Sequence, residues 1–207
     1  MEVWAAIALR INMGGEMERD KIKKRLAEII LERSFRYSED PPFTLSSGRK
    51  SPFYFDCKPT TLDPEGMNLI GRLVFDMLKD SPVTAAGGLT LGADPIANAL
   101  SIISYQGGRP IKSFIVRKDA KGHGTKNRIE GNVKAGEQVA VIDDVVTTGA
   151  STITAIESAR EAGLLVERAV VLIDREEGGM ENIKALLDRV DTVLTRSEIM
   201  ALYRKKK

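Results

Sequence analysis

The chain has little of the residue chemistry on which disulfide-bonded, zinc-binding or broadly basic proteins depend. Its 207 residues include one cysteine, Cys57, and one histidine, His123. An intramolecular disulfide is therefore excluded, as is a metal cluster built from Cys and His side chains. The 31 basic and 29 acidic side chains leave a net charge of +2, so no overall positive field attracts nucleic acid. A single thiol is typical of a reducing compartment, and we expect a cytoplasmic location without a nucleic-acid partner.

Long apolar runs are also missing. The apolar run near the N-terminus covers residues 3–9, far below the roughly 20 residues that cross a bilayer. A signal peptide would carry positive charge before this run, whereas only Glu2 precedes it. We therefore expect neither a membrane span nor a membrane partner.

The first residues stand apart from the rest of the chain. We assign residues 1–16 as an N-terminal extension of unclear role and place a single domain at residues 17–207. Two interpretations of the extension stay open. It is either a short packed segment of a chain that starts at Met1, or a stretch that precedes a true start of translation at Met13 or Met17.

The sequence does contain a regular alternation of short apolar strands with helical patterns. The predicted elements are helix 18–34, an aromatic strand-like segment 51–56, a helix from Asp63-Pro64, strand 83–88, a helix from Asp94-Pro95 to about Tyr105, strand 111–116, loop 117–138, strand 138–143, helix 151–162, strand 167–174, helix 182–189, strand 190–195 and helix 197–204. Unbroken runs of Val, Ile and Ala are typical of strands buried on both faces. We therefore predict an α/β fold, with a mostly parallel central sheet flanked by helices and a small N-terminal subdomain, or hood.

The segment after strand 138–143 combines carboxylates with a turn of small residues. Ligands of open parallel sheets bind beyond the carboxyl ends of the strands. Here Asp143 and Asp144 stand before the turn Thr147–Ser151, which opens a helix. Free helix amides, hydroxyls and a glycine favour a phosphate, although the P-loop and dinucleotide-binding patterns are absent. Carboxylates beside a phosphate suit other tasks, namely bonding ribose hydroxyls or orienting Mg²⁺-bound water.

The stretch VIDDVVTTGAST resembles the phosphoribosyl-pyrophosphate (PRPP) signature of the type I phosphoribosyltransferases. The resemblance implies that Asp143 and Asp144 hold the ribose 2- and 3-hydroxyls and that the turn Thr147–Ser151 wraps the 5-phosphate. The implied PRPP-binding residues of this stretch are Asp143, Asp144, Val145, Val146, Thr147, Thr148, Gly149, Ala150 and Ser151.

Three further segments resemble one family of that group, the orotate phosphoribosyltransferases. In FTLSSGRKSPFYFD the resemblance implies that Tyr54 and Phe55 line the base site, and a flat pyrimidine suits an aromatic wall. In LIDREEGG it implies that Arg175 meets the orotate carboxylate, because a planar guanidinium bonds a carboxylate bidentately. Thr147 is also expected at the orotate site.

The third segment, VRKDAKGHGTKNRIEG, resembles the mobile catalytic loop of the same family. The catalytic and PRPP-binding residues that the resemblance implies here are Arg117, Lys118, Lys121 and His123. Lys121 could hydrogen-bond the leaving oxygen, and an imidazole such as that of His123 can offer a proton near neutrality. The resemblance further implies a homodimer in which loop 117–130 serves the active site of the neighbouring subunit.

The stretch GGLTLGADPIANAL resembles the pyrophosphate loop of the superfamily, with a departure from some relatives. Those relatives carry lysines at the positions of Ser46 and Gly92, and this chain has neither. More of the pyrophosphate charge would then fall on backbone amides, on Mg²⁺ and on the loop around His123. The resemblance implies Mg²⁺ as the cofactor, bound through PRPP, and no metal site made wholly of protein ligands.

The resemblance implies a pentosyltransferase that converts orotate and PRPP to orotidine 5-monophosphate and pyrophosphate, a step of de novo pyrimidine (UMP) biosynthesis. Two alternatives remain, a type I phosphoribosyltransferase acting on a purine or uracil, and a PRPP-sensing regulatory protein. The first would keep the two acids and the turn but not the match at Arg175. The near-zero net charge argues against a regulator that binds nucleic acid.

Overall fold

The computed structural model describes residues 16–44, 50–118 and 128–206. The helices are α1 Glu16–Arg33, α2 Lys58–Thr61, α3 Pro64–Leu78, α4 Asp94–Gln106, α5 Ala150–Glu161, α6 Gly179–Lys184 and α7 Arg196–Lys206. The strands are β1 Phe35–Tyr37, β2 Phe43–Thr44, β3 Lys50–Ser51, β4 Phe53–Phe55, β5 Ala85–Leu89, β6 Lys112–Val116, β7 Ile129–Gly131, β8 Gln138–Val146, β9 Leu165–Asp174 and β10 Val190–Thr195. None of these helices is long and apolar enough to cross a membrane.

Six strands form the central sheet in the order β10-β9-β8-β5-β6-β7. Neighbouring strands are parallel except β6 and β7, which are antiparallel. The strand β8 lies between β5 and β9, so its carboxyl end is flanked by the carboxyl ends of two parallel neighbours. The predicted α/β fold with a mostly parallel sheet is confirmed.

Helices cover both faces of the sheet. One layer holds α1, α3, α4 and α7, and the other holds α5 and α6. In β8, Ala140 and Ile142 face the first layer while Val139 and Val141 face the second, as the two-residue period of a strand requires. Each large aliphatic side chain buried in this way stabilises the fold by about 1.5–3 kcal/mol. Packing from both sides therefore fixes the position at which β8 ends.

The N-terminal part of the chain supplies the predicted small subdomain. Within it β1 pairs with β4, and β2 pairs with β3, both antiparallel. Its aromatic rings pack together, with centroids 5.0 Å apart for Phe35 and Phe55 and 5.5 Å apart for Tyr37 and Phe53. Tyr203 of α7 contacts Phe35 at 5.8 Å. Tilted ring pairs at these distances tie the subdomain to the last helix.

The edge strand β7 corrects the prediction that loop 117–138 has no regular structure. Three residues are too short to leave a periodic signal in the sequence. The strand forms because Ile129 pairs with Val116 at the open edge of the sheet and is buried there. The loop is therefore interrupted by an antiparallel strand before β8 begins.

Two further boundaries differ from the prediction. The helix expected at 182–189 is α6, Gly179–Lys184, which begins earlier because Gly178 adopts a φ of +90° and turns the chain into it. The helix pattern is hidden at this end by consecutive glycines, which are poor helix formers. The strand expected at 138–143 continues to Val146, because Val145 and Val146 keep pairing with β9.

Candidate active site

A cleft of about 580 Å³ opens where β8 and β9 end. The turn from β8 to α5 borders it on one side, and Arg175, the residue after β9, borders it on another. Thr44, Tyr54 and Phe55 form the wall contributed by the N-terminal subdomain. Of residues 143–151, all but Asp144 line the cleft. The structure thus brings the predicted phosphate-binding turn and the predicted base-site residues together around one cavity.

The turn from β8 to α5 leaves the first amides of α5 without a side-chain cap. Gly149 precedes the helix with a φ of +81°, and a Cβ there would lie 2.8 Å from the carbonyl oxygen of Gly179. By contrast, the Asp63 carboxylate caps α3 by accepting hydrogen bonds from two amides. The hydroxyls of the turn are therefore not consumed in capping, and the N-terminus of α5 remains available for an anion.

Both acids lie inside β8, because the strand continues past its expected end at Asp143 and includes Asp144. Their side chains take opposite sides of the strand. Asp143 is buried against α5, where its carboxylate accepts the Thr152 hydroxyl at 2.5 Å and the amide of Asp144 at 3.0 Å. Asp144 is half-buried and lies against Gly92. The two carboxylates therefore have different environments: that of Asp143 is bonded to α5, and that of Asp144 lies against the turn after β5.

Burial raises the pKa of Asp143 from 3.8 to about 7, a rise that the Thr152 hydrogen bond opposes and the charge of Asp144 reinforces. Burial also raises the pKa of Asp144, and this rise is opposed by the hydrogen bond from the Val145 amide and by the positive charge of Lys58. The pair therefore carries less negative charge at neutral pH than two free carboxylates would. This reduces the repulsion of an anionic ligand in the adjoining cleft.

A second cavity, of about 420 Å³, adjoins the first because Asp143 and Ser151 border both. Its other walls are the turn between β5 and α4, the Asp144 side chain, and two cations, Lys58 and Lys118. No side chain caps the first turn of α4, so this turn also keeps its helix amides for a ligand. The predicted pyrophosphate loop is thus one wall of a cavity that continues from the phosphate-binding turn.

The turn at Gly92 lies very close to the Asp144 carboxylate. A Cβ built on Gly92 would lie 2.3 Å from Oδ1 of Asp144 and 2.7 Å from its Cγ. Real Cβ atoms do not approach other atoms so closely, so any side chain at position 92 would displace Asp144. Gly92, which stands where some relatives carry a lysine, is therefore a point at which this turn closely approaches Asp144.

Arg175 is buried, with 4% of its surface exposed, and borders the same cleft as the turn. Its Nη2 forms an ion pair with Glu177 at 2.8 Å and donates to the Ser51 hydroxyl at 3.1 Å and the Phe53 carbonyl at 3.4 Å. A guanidinium fixed in this way is oriented before any ligand arrives. The sequence indicated Arg175 itself but gave no sign of these partners.

The two aromatic residues expected at the base site have different environments. The Tyr54 ring is 37% exposed and lies 5.5 Å from the ring of Phe43. The Phe55 ring is largely buried and packs on Phe35 in the core of the subdomain. Both border the cleft, but Tyr54 offers the more accessible ring surface.

Known proteins share this sequence and fold. No family model matches the chain. An orotate phosphoribosyltransferase of Aquifex aeolicus is 49% identical over 162 residues, which are 78% of this chain and 88% of that protein. A crystal structure of the Mycobacterium tuberculosis orotate phosphoribosyltransferase with Fe(III) dicitrate is 38% identical, with a TM-score of 0.75, and covers 86% of this chain and 98% of that one. The same M. tuberculosis enzyme in complex with PRPP gives a TM-score of 0.72 at 36% identity, over 86% of this chain and 98% of that chain.

The chain belongs to the orotate phosphoribosyltransferase family. Membership confirms the resemblance drawn from the three sequence segments that point to this family. Of the loop cations expected from the family, Arg117 and Lys118 lie at the edge of the sheet, and Lys118 borders the second cavity of its own chain. Lys121, His123 and Ser46 lie outside the described residues, so their roles remain predictions.

Sequence reasoning missed one cation at the site of this family member. Lys58 is the first residue of α2 and borders the second cavity. No motif marks it, because it reaches the site only through the packing of α2 against the end of β8. The one sequence signal that could have found it is its place directly after the aromatic segment and Cys57.

Replacing Asp143 with asparagine should change the pH dependence of stability. Between about pH 4 and 7 the folded protein holds a proton on Asp143 that the unfolded chain has released, so its contribution to the unfolding free energy falls as pH rises through this window. Asparagine does not titrate, so we expect the Tm of Asp143→Asn relative to the wild type to rise from pH 4.5 to 8. Thermal unfolding across that range measures this. The exposed Asp20→Asn is the control, and parallel curves for Asp143→Asn and wild type would contradict the assignment.

Proposed function

We propose that this chain transfers the phosphoribosyl group of PRPP to orotate, giving orotidine 5-monophosphate and pyrophosphate in pyrimidine biosynthesis. The observation that carries the proposal is one cleft bordered both by the uncapped turn before α5 and by the buried Arg175. A ligand that spans these two groups has a phosphate at one end and a carboxylate near the other. Orotidine 5-monophosphate has both groups, and membership in the orotate phosphoribosyltransferase family supports the same assignment.

In this proposal each wall of the cleft has a task. The turn Thr147–Ser151 binds the 5-phosphate through its amides. Asp143 and Asp144 accept hydrogen bonds from the ribose hydroxyls. Arg175 bonds the orotate carboxylate, and Tyr54, with Phe55 behind it, forms the aromatic wall of the base site.

The chemistry is a substitution at carbon 1 of the ribose. The bond to pyrophosphate breaks, the carbon passes through an oxocarbenium-like state, and a ring nitrogen of orotate forms the new bond while its proton is released to water. Negative charge gathers on the departing pyrophosphate, and cations placed beforehand in the site stabilise it. We assign this task to Arg117, Lys118, Lys121 and His123, with Lys121 on the leaving oxygen.

Mg²⁺ is the cofactor that this chemistry calls for. A Mg²⁺ site usually takes one or two protein carboxylates and completes its shell with substrate oxygens and water. The second cavity fits this description, since it offers the Asp144 carboxylate and about 420 Å³ of space. When bound, Mg²⁺ would neutralise part of the pyrophosphate charge.

We also propose that the protein is a cytoplasmic homodimer with no nucleic-acid or membrane partner, in which loop 117–130 closes over the neighbouring active site. The free, buried Cys57 suits a reducing compartment. The position of Arg117 and Lys118 at the edge of the sheet suits a loop that leaves its own subunit.

Removing the charge of Lys121 should nearly abolish turnover. We expect Lys121→Ala to lower kcat for orotate by roughly 100-fold or more, because a donor to the leaving group acts mainly in the transition state. Orotate consumption with PRPP and Mg²⁺ measures this, and His123→Ala is assayed alongside. Lys134→Ala, an exposed lysine near β8, is the matched control. Wild-type turnover by Lys121→Ala would refute the role, and turnover of hypoxanthine or uracil in place of orotate would redirect the substrate assignment.

Sharing of the loop between subunits predicts complementation. Lys121→Ala and Asp144→Asn homodimers should each be inactive. In a two-fold dimer formed by random mixing, about one site in four combines an intact loop with an intact acid, so roughly a quarter of wild-type activity should return. Activity is measured after the two variants are unfolded and refolded together. No recovery in the mixed sample would show that the loop serves its own subunit.

A lysine cannot replace Arg175 at the orotate carboxylate. Arg175→Lys keeps a positive charge beside Glu177 but loses the planar fork that bonds a carboxylate. Loss of one charge-assisted hydrogen bond, about 1.5–3 kcal/mol, predicts a rise of roughly 10- to 100-fold in the KM for orotate. The KM for PRPP should stay near its wild-type value. The exposed Arg189→Lys is the control, and an equal rise in both KM values would argue for general disruption of the cleft.

A further inference from the structure

The second cavity presents an unusual balance of charge. The described residues that border it include two acids, Asp143 and Asp144, and two cations, Lys58 and Lys118. An anionic group can enter such a cavity only if cations compensate the acids. Lys118 lies at the start of the proposed catalytic loop. Lys58 belongs to α2, which has no other role in the proposed reaction.

The backbone around Lys58 is held firmly in place. Cys57 is fully buried, and its carbonyl accepts the amides of Thr60 and Thr61 at 2.9 and 2.7 Å. The Thr60 hydroxyl is in turn 2.7 Å from the Ser34 hydroxyl at the end of α1. The Cys57 sulfur lies 4.0 Å from the backbone carbonyl oxygen of Asp144. The start of α2 therefore packs directly against the end of β8, and this packing brings Lys58 to the cavity.

The Lys58 side chain is free to change partner. Its Nζ contacts Oδ1 of Asp56 at 2.7 Å, and 56% of the side chain is exposed. The hydrogen bond with Asp56, supported by the nearby charge of Asp144, raises the pKa of Lys58, so the ammonium is charged at neutral pH. An exposed ion pair of this kind is weak. It can be exchanged at little cost for an anion in the cavity.

The turn that borders the cavity together with Lys58 carries no cation at position 92. A side chain there would have to displace the Asp144 carboxylate, since its Cβ would lie 2.3 Å from Oδ1. Lys58 borders the same cavity from α2 and requires no such displacement. Lysine suits the task because its ammonium acts as a mobile point charge toward phosphate oxygens.

We propose that Lys58 binds the pyrophosphate group of PRPP and supplies the charge that position 92 does not carry in this chain. This inference rests on the proposed function, because PRPP places a 5-phosphate in the first cavity and a pyrophosphate beyond the ribose. On binding, Lys58 leaves Asp56 and bonds the pyrophosphate oxygens, while Asp144 keeps the ribose.

The test compares two ligands that correspond to different anionic parts of PRPP. Isothermal titration measures the Kd of inorganic pyrophosphate with Mg²⁺ and the Kd of ribose 5-phosphate for each variant. We expect Lys58→Ala to weaken pyrophosphate binding by roughly tenfold or more, the equivalent of one charge-assisted hydrogen bond, and to leave ribose 5-phosphate binding unchanged. Lys58→Arg should restore most of the pyrophosphate affinity. The control is Lys79→Ala, since Lys79 forms a similar ion pair with Asp76 at 2.6 Å but borders neither cavity.

The outcomes separate Lys58 from its neighbours and from the proposed function. Unchanged pyrophosphate binding in Lys58→Ala would overturn the inference. An equal loss for pyrophosphate and ribose 5-phosphate would also overturn it, because Lys58 would then act only by positioning Asp144. Neither titration uses orotate. A wild-type protein that binds pyrophosphate through Lys58 but consumes no orotate would refute the proposed function and leave this inference standing.

Discussion

The site is organised around the burial of one carboxylate, that of Asp143, at the end of β8. A carboxylate that is 6% exposed needs compensation, and the Thr152 hydroxyl and the Asp144 amide provide it. Thr152 lies in the first turn of α5, so the same hydrogen bond fixes the helix N-terminus relative to the strand end. The turn Thr147–Ser151 spans the short distance between these two anchors. Its shape therefore depends on an acid that is partly neutralised by its own environment.

Close packing around the acids decides where positive charge can enter. Gly92 lets the turn after β5 approach Asp144, and a side chain at that position would have to displace the carboxylate. The cations that border the second cavity come instead from α2 and from the segment after β6, through Lys58 and Lys118. The carboxylates thus belong to a strand of the central sheet, whereas the ammonium groups lie at the ends of long lysine side chains beside that sheet. This arrangement lets an anionic substrate enter the cavity before the cationic side chains close around its charged groups.

The sequence predicts well those features that depend on neighbouring residues. Strand runs such as QVAVID, the Asp63 helix start and the turn Thr147–Ser151 are local, and the structure places them as expected apart from the extension of β8 to Val146. It predicts poorly those that arise from contacts between distant segments. The approach of Cys57 to Asp144 joins residues 87 positions apart and creates the place of Lys58. The short edge strand at Ile129 exists because β6 offers an open edge, which no local pattern records.

Arg175 shows that the sequence can indicate a functional residue without indicating the contacts that orient it. The family resemblance of LIDREEGG implied a carboxylate partner for Arg175. In the structure Arg175 already has one in Glu177, and Ser51 and Phe53 of the N-terminal subdomain also accept hydrogen bonds from its guanidinium. A substrate carboxylate would therefore join an existing network and would not have to build one. Groups oriented before binding lose little freedom when the ligand arrives. Because Ser51 and Phe53 belong to the small subdomain, the base site depends on how that subdomain packs against the sheet, and its aromatic core therefore contributes to the geometry of substrate binding as well as to stability.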